Sequence, residues 1–260
     1  MLLSQHTIVI TGATSGFGTA IAKRCAAEKA KLVLIGRRAE RLTALHAELS
    51  PHTAVHTLQL DVTQREAVSV ALRQLPGPFD QPTALINNAG LALGMTGADQ
   101  SDLNDWETMV DTNIKGLLYC THALLPAMVE RNNGHIVNIG SVAGNWPYPG
   151  GNVYGATKAF VQQFSRNLRA ELLGKQIRVT NIEPGLAQTE FSEVRFKGDS
   201  YRAHKVYDGT TPLSADDIAD TVEWVLTRPL HVNINSIELM PTCQAWGHLA
   251  LMRRTPTGSS

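Results

Sequence analysis

The sequence predicts an α/β fold: a single domain built on a doubly wound, seven-stranded parallel sheet with helices on both faces. Two observations predict it. Short β-branched runs alternate along the chain with longer amphipathic stretches. Alternation of that kind calls for right-handed crossovers, which make successive strands parallel and send helices over both faces. In addition, a glycine-rich turn sits where the first run passes into a helix, the position at which open α/β sheets take their ligands.

The strands are read in order. Thr7 to Ile10 is an apolar run that ends in the turn Thr11-Gly-Ala-Thr-Ser-Gly-Phe-Gly18, after which Thr19 to Glu28 has a helical pattern. Lys31 to Ile35, Val55 to Leu60, Ala84 to Asn87, His135 to Ile139, Ile177 to Ile182 and Ile234 to Leu239 complete the sheet. Long helices are expected around Leu103 to Glu130 and Val153 to Leu172. The stretch from Pro184 to Thr211 breaks the rhythm: it is polar, weakly periodic and rich in Gly, Arg and Lys, as an active-site lid over about 185–212 would be. Ser214-Ala-Asp-Asp217 then opens the next helix as a capping box. The domain is read as 1–252, with 253–260 a disordered tail.

Composition excludes several classes. The chain has 260 residues, 43% of them hydrophobic and 18% charged, enough to bury a sizeable core. Lys plus Arg (23) balances Asp plus Glu (23), so no global field draws it to nucleic acid or an anionic membrane. No apolar run approaches the roughly 20 residues of a membrane span. Cys25, Cys120 and Cys243 are odd in number and scattered, which fits reduced thiols in the cytoplasm better than disulfides or zinc. No metal-ligand spacing occurs, so the chemistry is expected to need no metal.

In the turn, Gly12 permits the tight bend, Gly16 lets backbone approach a pyrophosphate, and Gly18 lets the helix pack on the sheet. Thr14, Ser15 and Phe17 lie between them and face the same ligand. An NAD site would place an acidic residue at the end of the second strand. That position is Gly36, followed by Arg37 and Arg38, whose guanidinium groups suit a 2′-phosphate. The expected cofactor is therefore NADP. Arg41 is read as part of a solvated helix face.

Tyr154 and Lys158 are four apart in a helical stretch, so both project from one face. A tyrosine that takes a proton at neutral pH needs positive charge nearby, because free tyrosine titrates at about 10. Lys158 and the oxidised nicotinamide together are expected to lower that value by roughly one to three units. Ser141 ends the fifth strand and can orient a substrate oxygen. His135, between Gly134 and a strand, is read as structural.

With the turn TGxxxGxG, Asn87-Asn-Ala-Gly90 and Tyr154-Gly-Ala-Thr-Lys158, the chain resembles the short-chain dehydrogenases/reductases over nearly its whole length. The resemblance implies a Rossmann-type dinucleotide domain, Asp61 and Val62 flanking adenine, and Asn88, Ala89 and Gly90 lining a ribose. It also implies Pro184, Gly185 and Thr189 near the cofactor, Lys158 on the nicotinamide ribose, and Asn113 holding a water in a proton relay.

The segments Ser141 to Phe160, Asp105 to Asn113 and Val194 to Gly198 resemble the branch that oxidises small 3-hydroxy acids such as L-serine, L-allo-threonine and 3-hydroxyisobutyrate with NADP. Trp146, Pro147 and Tyr148 are expected to shape the substrate pocket, and Arg195 or Lys197 to close on the substrate carboxylate. The resemblance further implies a homotetramer. Other reductases of ketones, sugars or acyl carriers, and a non-catalytic NADP-binding sensor, are the competing readings.

Overall fold

In the computed structural model, which describes residues 2–247 and 250–253, β1 (Thr7–Thr11) passes through the glycine turn into α1 (Gly16–Ala27). Then come β2 (Lys31–Gly36), α2 (Ala39–Leu49), β3 (Val55–Gln59), α3 (Arg65–Arg73) and β4 (Ala84–Asn87). The second half holds α4 (Leu103–Val110), α5 (Leu117–Glu130), β5 (Gly134–Ile139), α6 (Asn152–Glu171) and β6 (Ile177–Pro184). It closes with α7 (Phe191–Arg195), α8 (Ser200–Lys205), α9 (Ala215–Leu226) and β7 (Ser236–Leu239).

The strands form one sheet in the order β3-β2-β1-β4-β5-β6-β7, and every pair is parallel. All seven expected strands are present, with bounds that shift by one or two residues at the ends. The chain leaves β1 toward β2 on one side and returns to β4 on the other, so the order reverses between β1 and β4. The carboxyl ends of these two strands border the crevice where such sheets bind ligands.

Both faces of the sheet are covered, which is why the central strands read as continuous apolar runs rather than alternating ones. Ile8 and Ile10 pack with Ile21 of α1 and Val222 of α9 on one face. Val9, Leu85 and Ile136 pack with Val68 of α3 and Leu124 of α5 on the other.

Two features differ from expectation. The long helix expected around Leu103 to Glu130 is interrupted by a π-helical turn, Asp111–Gly116, at the start of α5. The polar stretch after β6 holds two short helices, α7 and α8; five or six residues are too few to leave a periodic signature. The capping box forms as read, Ser214 and Asp217 each bonding the other's backbone. Of the expected tail, 254–260 lies outside the described residues, while Arg253 donates to the carbonyls of Val206 and Asp208.

A buried polar cluster underlies the opposite, amino edge of the sheet. Arg178 donates to the carbonyls of Val225, Leu226 and Arg228, capping the end of α9. His135 meets Thr180 Oγ1 at 2.9 Å and His6 meets Thr83 Oγ1 at 3.0 Å. Burial, with Arg178 adding repulsion, holds His6 down at about 4 and His135 well below the usual histidine range.

Both rings therefore stay neutral in the folded protein at pH values where the unfolded chain protonates them. Their contribution is present in full above about pH 6.5 and is lost as the pH falls toward 4. Urea unfolding should show stability dropping by about 1.4 kcal/mol per pH unit for each histidine across that window. His135→Gln is expected to remove one share of the slope; an unchanged slope would contradict the assignment.

Candidate active site

Gly12 has φ +65°, a left-handed backbone that turns β1 sharply toward α1. A Cβ on Gly18 would collide with the Gly12 carbonyl, so α1 can begin this close to the strand only with glycine there. Asn88, just past β4, ties the turn down: its side chain donates to the carbonyls of Thr11 (2.9 Å) and Gly12 (3.1 Å). Thr11 Oγ1 in return accepts from the N–H groups of Asn88 and Ala89. The amide of Asn88 is thus spent on the turn, although the residue lines the crevice.

A cavity of about 570 Å³ runs along the carboxyl edge of the sheet. One end is walled by Thr14, Ser15, Gly16 and Phe17, with Arg37, Arg38, Asp61 and Val62. Ala89 and Gly90 lie along the middle, and Pro184, Gly185 and Thr189 form the far wall. A Cβ at Gly36 would meet Thr14 Cγ2 at 2.6 Å, so the acidic residue of an NAD site would require the Thr14 side chain to move.

Arg38 donates to the Thr14 carbonyl (3.0 Å) and to Glu190 (3.1 Å). Arg41, expected to be merely solvated, also binds Glu190, at 2.6 Å. Arg37 extends into solvent, its guanidinium 3.9 Å from Asp61, whose other oxygen accepts from Thr63. A tight glycine turn at a helix N-terminus, an arginine cluster at one end and a long groove between them fit a dinucleotide with a phosphorylated ribose.

At the other end lie Ser141, Tyr154 and Lys158. Tyr154 is buried, and burial is the main cause that pushes its phenol above the ordinary tyrosine value. Tyr148 adds to the rise, while a hydrogen bond with Ser141 and the charge of Arg195 oppose it. Lys158 is buried too, and burial lowers its ammonium to about 8. Its Nζ donates to the Ile139 carbonyl at 2.8 Å and stands 5.8 Å from the centre of the Tyr154 ring. In this structure Arg195 is the cation that opposes the rise, and burial outweighs it.

Asn113 sits in the π turn, and the distortion brings its side chain inward. Oδ1 accepts from Leu91 N (2.9 Å), and Nδ2 donates to Leu91 O (2.8 Å) and Thr157 Oγ1 (3.0 Å). Both amide hydrogens are used, and the side chain positions the loop after β4 and the helix of Tyr154. A Cβ at Gly90 would lie 3.3 Å from Asn113 Oδ1 and 3.5 Å from Lys158 Nζ, which shows how closely the two groups approach.

The model of the short chain dehydrogenase family matches residues 6–199. The chain belongs to the short-chain dehydrogenase family. An NADP-dependent 3-hydroxy acid dehydrogenase of Salmonella typhi is 55% identical over 247 residues, covering 95% of this chain and 99% of that protein. Sulfoacetaldehyde reductase 2 of Chromohalobacter salexigens is 53% identical, with 95% and 98% covered. Among solved structures, the closed form of serine dehydrogenase complexed with NADP+ superposes with TM-score 0.90 at 53% identity, covering 95% of this chain and all of that one.

Within this short-chain dehydrogenase, three expected pocket residues, Trp146, Pro147 and Lys197, are not on the cavity wall. Trp146 packs edge-on against Trp246 with its Nε1 buried and unpartnered among the described residues. Lys197 turns away to pair with Asp105 of α4 at 2.9 Å. Tyr148 and Arg195 do line the wall.

Sequence reasoning missed Glu190 and Phe191, whose ring lies 5.5 Å from that of Tyr154, and Gln244, which accepts from Leu186 N at 2.7 Å. The crowding of Arg37, Arg38 and Arg41 was a usable signal for Glu190, since three cations call for an anion; nothing in the local pattern marks Gln244.

Because burial dominates, Tyr154 should ionise above free tyrosine in the cofactor-free protein. A difference titration at 295 nm between the wild type and Tyr154→Phe is expected to show this phenolate forming above pH 10. A midpoint below 10 would contradict the burial argument.

Proposed function

We propose that the chain is an NADP-dependent dehydrogenase that oxidises the 3-hydroxyl of small 3-hydroxy acids of the L-serine, L-allo-threonine and 3-hydroxyisobutyrate type, and reduces the matching semialdehydes in reverse. The observation that carries the acid preference is the place of Arg195. Its guanidinium lies over the rings of Tyr148 (5.4 Å) and Tyr154 (5.8 Å) on the cavity wall. Nε donates to Gly94 O, and Nη2 to Tyr148 Oη and Gly150 O. Nη1 has no hydrogen-bond partner among the described residues and is the donor for a substrate carboxylate.

In this reading the glycine turn holds the pyrophosphate and Arg37 and Arg38 the 2′-phosphate. Asp61 and Val62 flank the adenine, Asn88 to Gly90 line the adenosine ribose, and Lys158 holds the nicotinamide ribose, with Pro184, Gly185 and Thr189 beside the ring. Bound there, NADP supplies the ring that accepts or returns a hydride. Ser141, whose hydroxyl is engaged by Ala143 N at 3.1 Å and only weakly by the Pro184 carbonyl, turns to the substrate oxygen.

As a phenol, Tyr154 gives its proton to a carbonyl oxygen in reduction; as a phenolate it takes the hydroxyl proton in oxidation. Lys158 and Arg195 supply the positive charge that brings the phenolate within reach. Asn113 keeps Leu91 and Thr157 in register with Tyr154.

Segment 185–212 acts as the lid over this site within one domain. The protein works in the cytoplasm as a homotetramer. Its location is supported by the odd number and scatter of its cysteines, Cys25, Cys120 and Cys243, all free thiols. Its assembly is supported by the half-exposed Trp224 on α9 and by analogy with the fold. Among the described residues, no helix is long and apolar enough to cross a membrane.

Comparing Arg195→Ala on L-serine and on an uncharged alcohol tests the proposal. Loss of a charge-assisted hydrogen bond of about 1.5–3 kcal/mol should lower kcat/KM for the acid about 10- to 150-fold more than for the alcohol. A sulfonate aldehyde should be lost in parallel with the acid. Equal losses on acid and alcohol would remove the anion-binding role, and tight NADP binding with none of these compounds turned over would favour a sensor.

A further inference from the structure

The root of the lid rests on the phosphate-binding turn. Thr189 lies against Gly16, where an added Cβ would be 3.2 Å from Thr189 Cβ. The next residue, Glu190, reaches back across the turn to two arginines. Its carboxylate accepts from Arg41 Nη1 at 2.6 and 2.9 Å and from Arg38 Nη1 at 3.1 Å. Both guanidinium groups are fixed from below by the Thr14 carbonyl, at 3.0 Å from Arg38 and 3.3 Å from Arg41. Burial works against the Glu190 carboxylate, yet the hydrogen bonds and charges of Arg41 and Arg38 outweigh it and hold the group below the ordinary range.

An anion gripped by two guanidinium groups beside the glycine turn is in the place that a ribose 2′-phosphate needs. Resting on the NADP reading above, we propose that Glu190 is a built-in competitor for the 2′-phosphate site, occupying Arg38 and Arg41 until a phosphorylated dinucleotide displaces it. NADP must break these ion pairs to bind, whereas NAD, lacking the phosphate, leaves them intact.

The displacement also has a route to the substrate. Glu190 adjoins α7, on which Phe191 packs against Tyr154 and Arg195 crosses the same ring. Release of Glu190 therefore frees the lid helix that carries the substrate-binding arginine, and it does so for NADP and not for NAD. A carboxylate at this position makes the enzyme's preference for NADP smaller than its arginines alone would give.

The test is fluorescence titration of the wild type, Glu190→Gln and Arg38→Met with NADPH and with NADH, at low and at 0.5 M salt. Limited trypsinolysis at the lid sites Lys197 and Arg202 is run alongside. Glu190→Gln should bind NADPH about 3- to 10-fold more tightly and NADH within about twofold of wild type, the gain shrinking with salt because the pairs are partly exposed. NADPH, but not NADH, should change the cleavage rate of the wild-type lid, and the variant without any ligand should already cleave at the NADPH-bound rate.

Equal changes for the two dinucleotides, weaker NADPH binding by the variant, or cleavage that does not respond to NADPH would overturn the inference. Arg38→Met should lose the preference for NADPH. If it keeps that preference, the NADP reading of these arginines is the part that fails.

Discussion

A phenol withdrawn from water holds its proton more tightly, and the remedies inside a protein are a hydrogen bond to the phenolate and positive charge placed beside the oxygen. Tyr154 is in that position. It is buried between Ser141, Phe191 and the guanidinium of Arg195, with the ammonium of Lys158 nearby. Lys158 is itself buried and lowered to about 8, so part of its charge is lost just above neutral pH. The acidity of the phenol thus depends on the Ser141 hydroxyl and on the guanidinium of Arg195 on α7.

The fold makes that assembly possible by ending strands at one edge. The turn after β1, the loop after β4 and Ser141 after β5 all emerge at the carboxyl edge, near the reversal of strand order between β1 and β4. Their mutual distances are set by polar side chains without contact to any substrate: Asn88 holds the glycine turn and Asn113 holds Leu91 and Thr157. Each asparagine spans two elements distant in sequence. Small errors in their placement would move the phenol relative to the groove.

Much of this was legible in the sequence because its causes are local. β-branched runs closed by turns give the strands, and the spacing of Gly12, Gly16 and Gly18 fixes a strand-to-helix bend. The Tyr154 and Lys158 pair follows from helical periodicity. What escaped depends on contacts between segments far apart. The π turn at Asp111–Gly116 has no periodic signature, and Lys197 is drawn off by Asp105, over 90 positions earlier. Trp146 looks like a pocket aromatic from its neighbours, yet packs against Trp246 from the end of the chain. Arg41 looks solvated on its own helix and gains its role only from Glu190, in the segment after β6.

The account turns on Tyr154 as the group that moves the proton, and Tyr154→Phe tests it most directly, because it deletes one oxygen and preserves the ring that packs on Phe191. Steady-state turnover of a 3-hydroxy acid with NADP should fall by about 10²- to 10⁴-fold, with NADPH affinity kept within about threefold of wild type. Turnover at the wild-type rate by that variant would contradict the account.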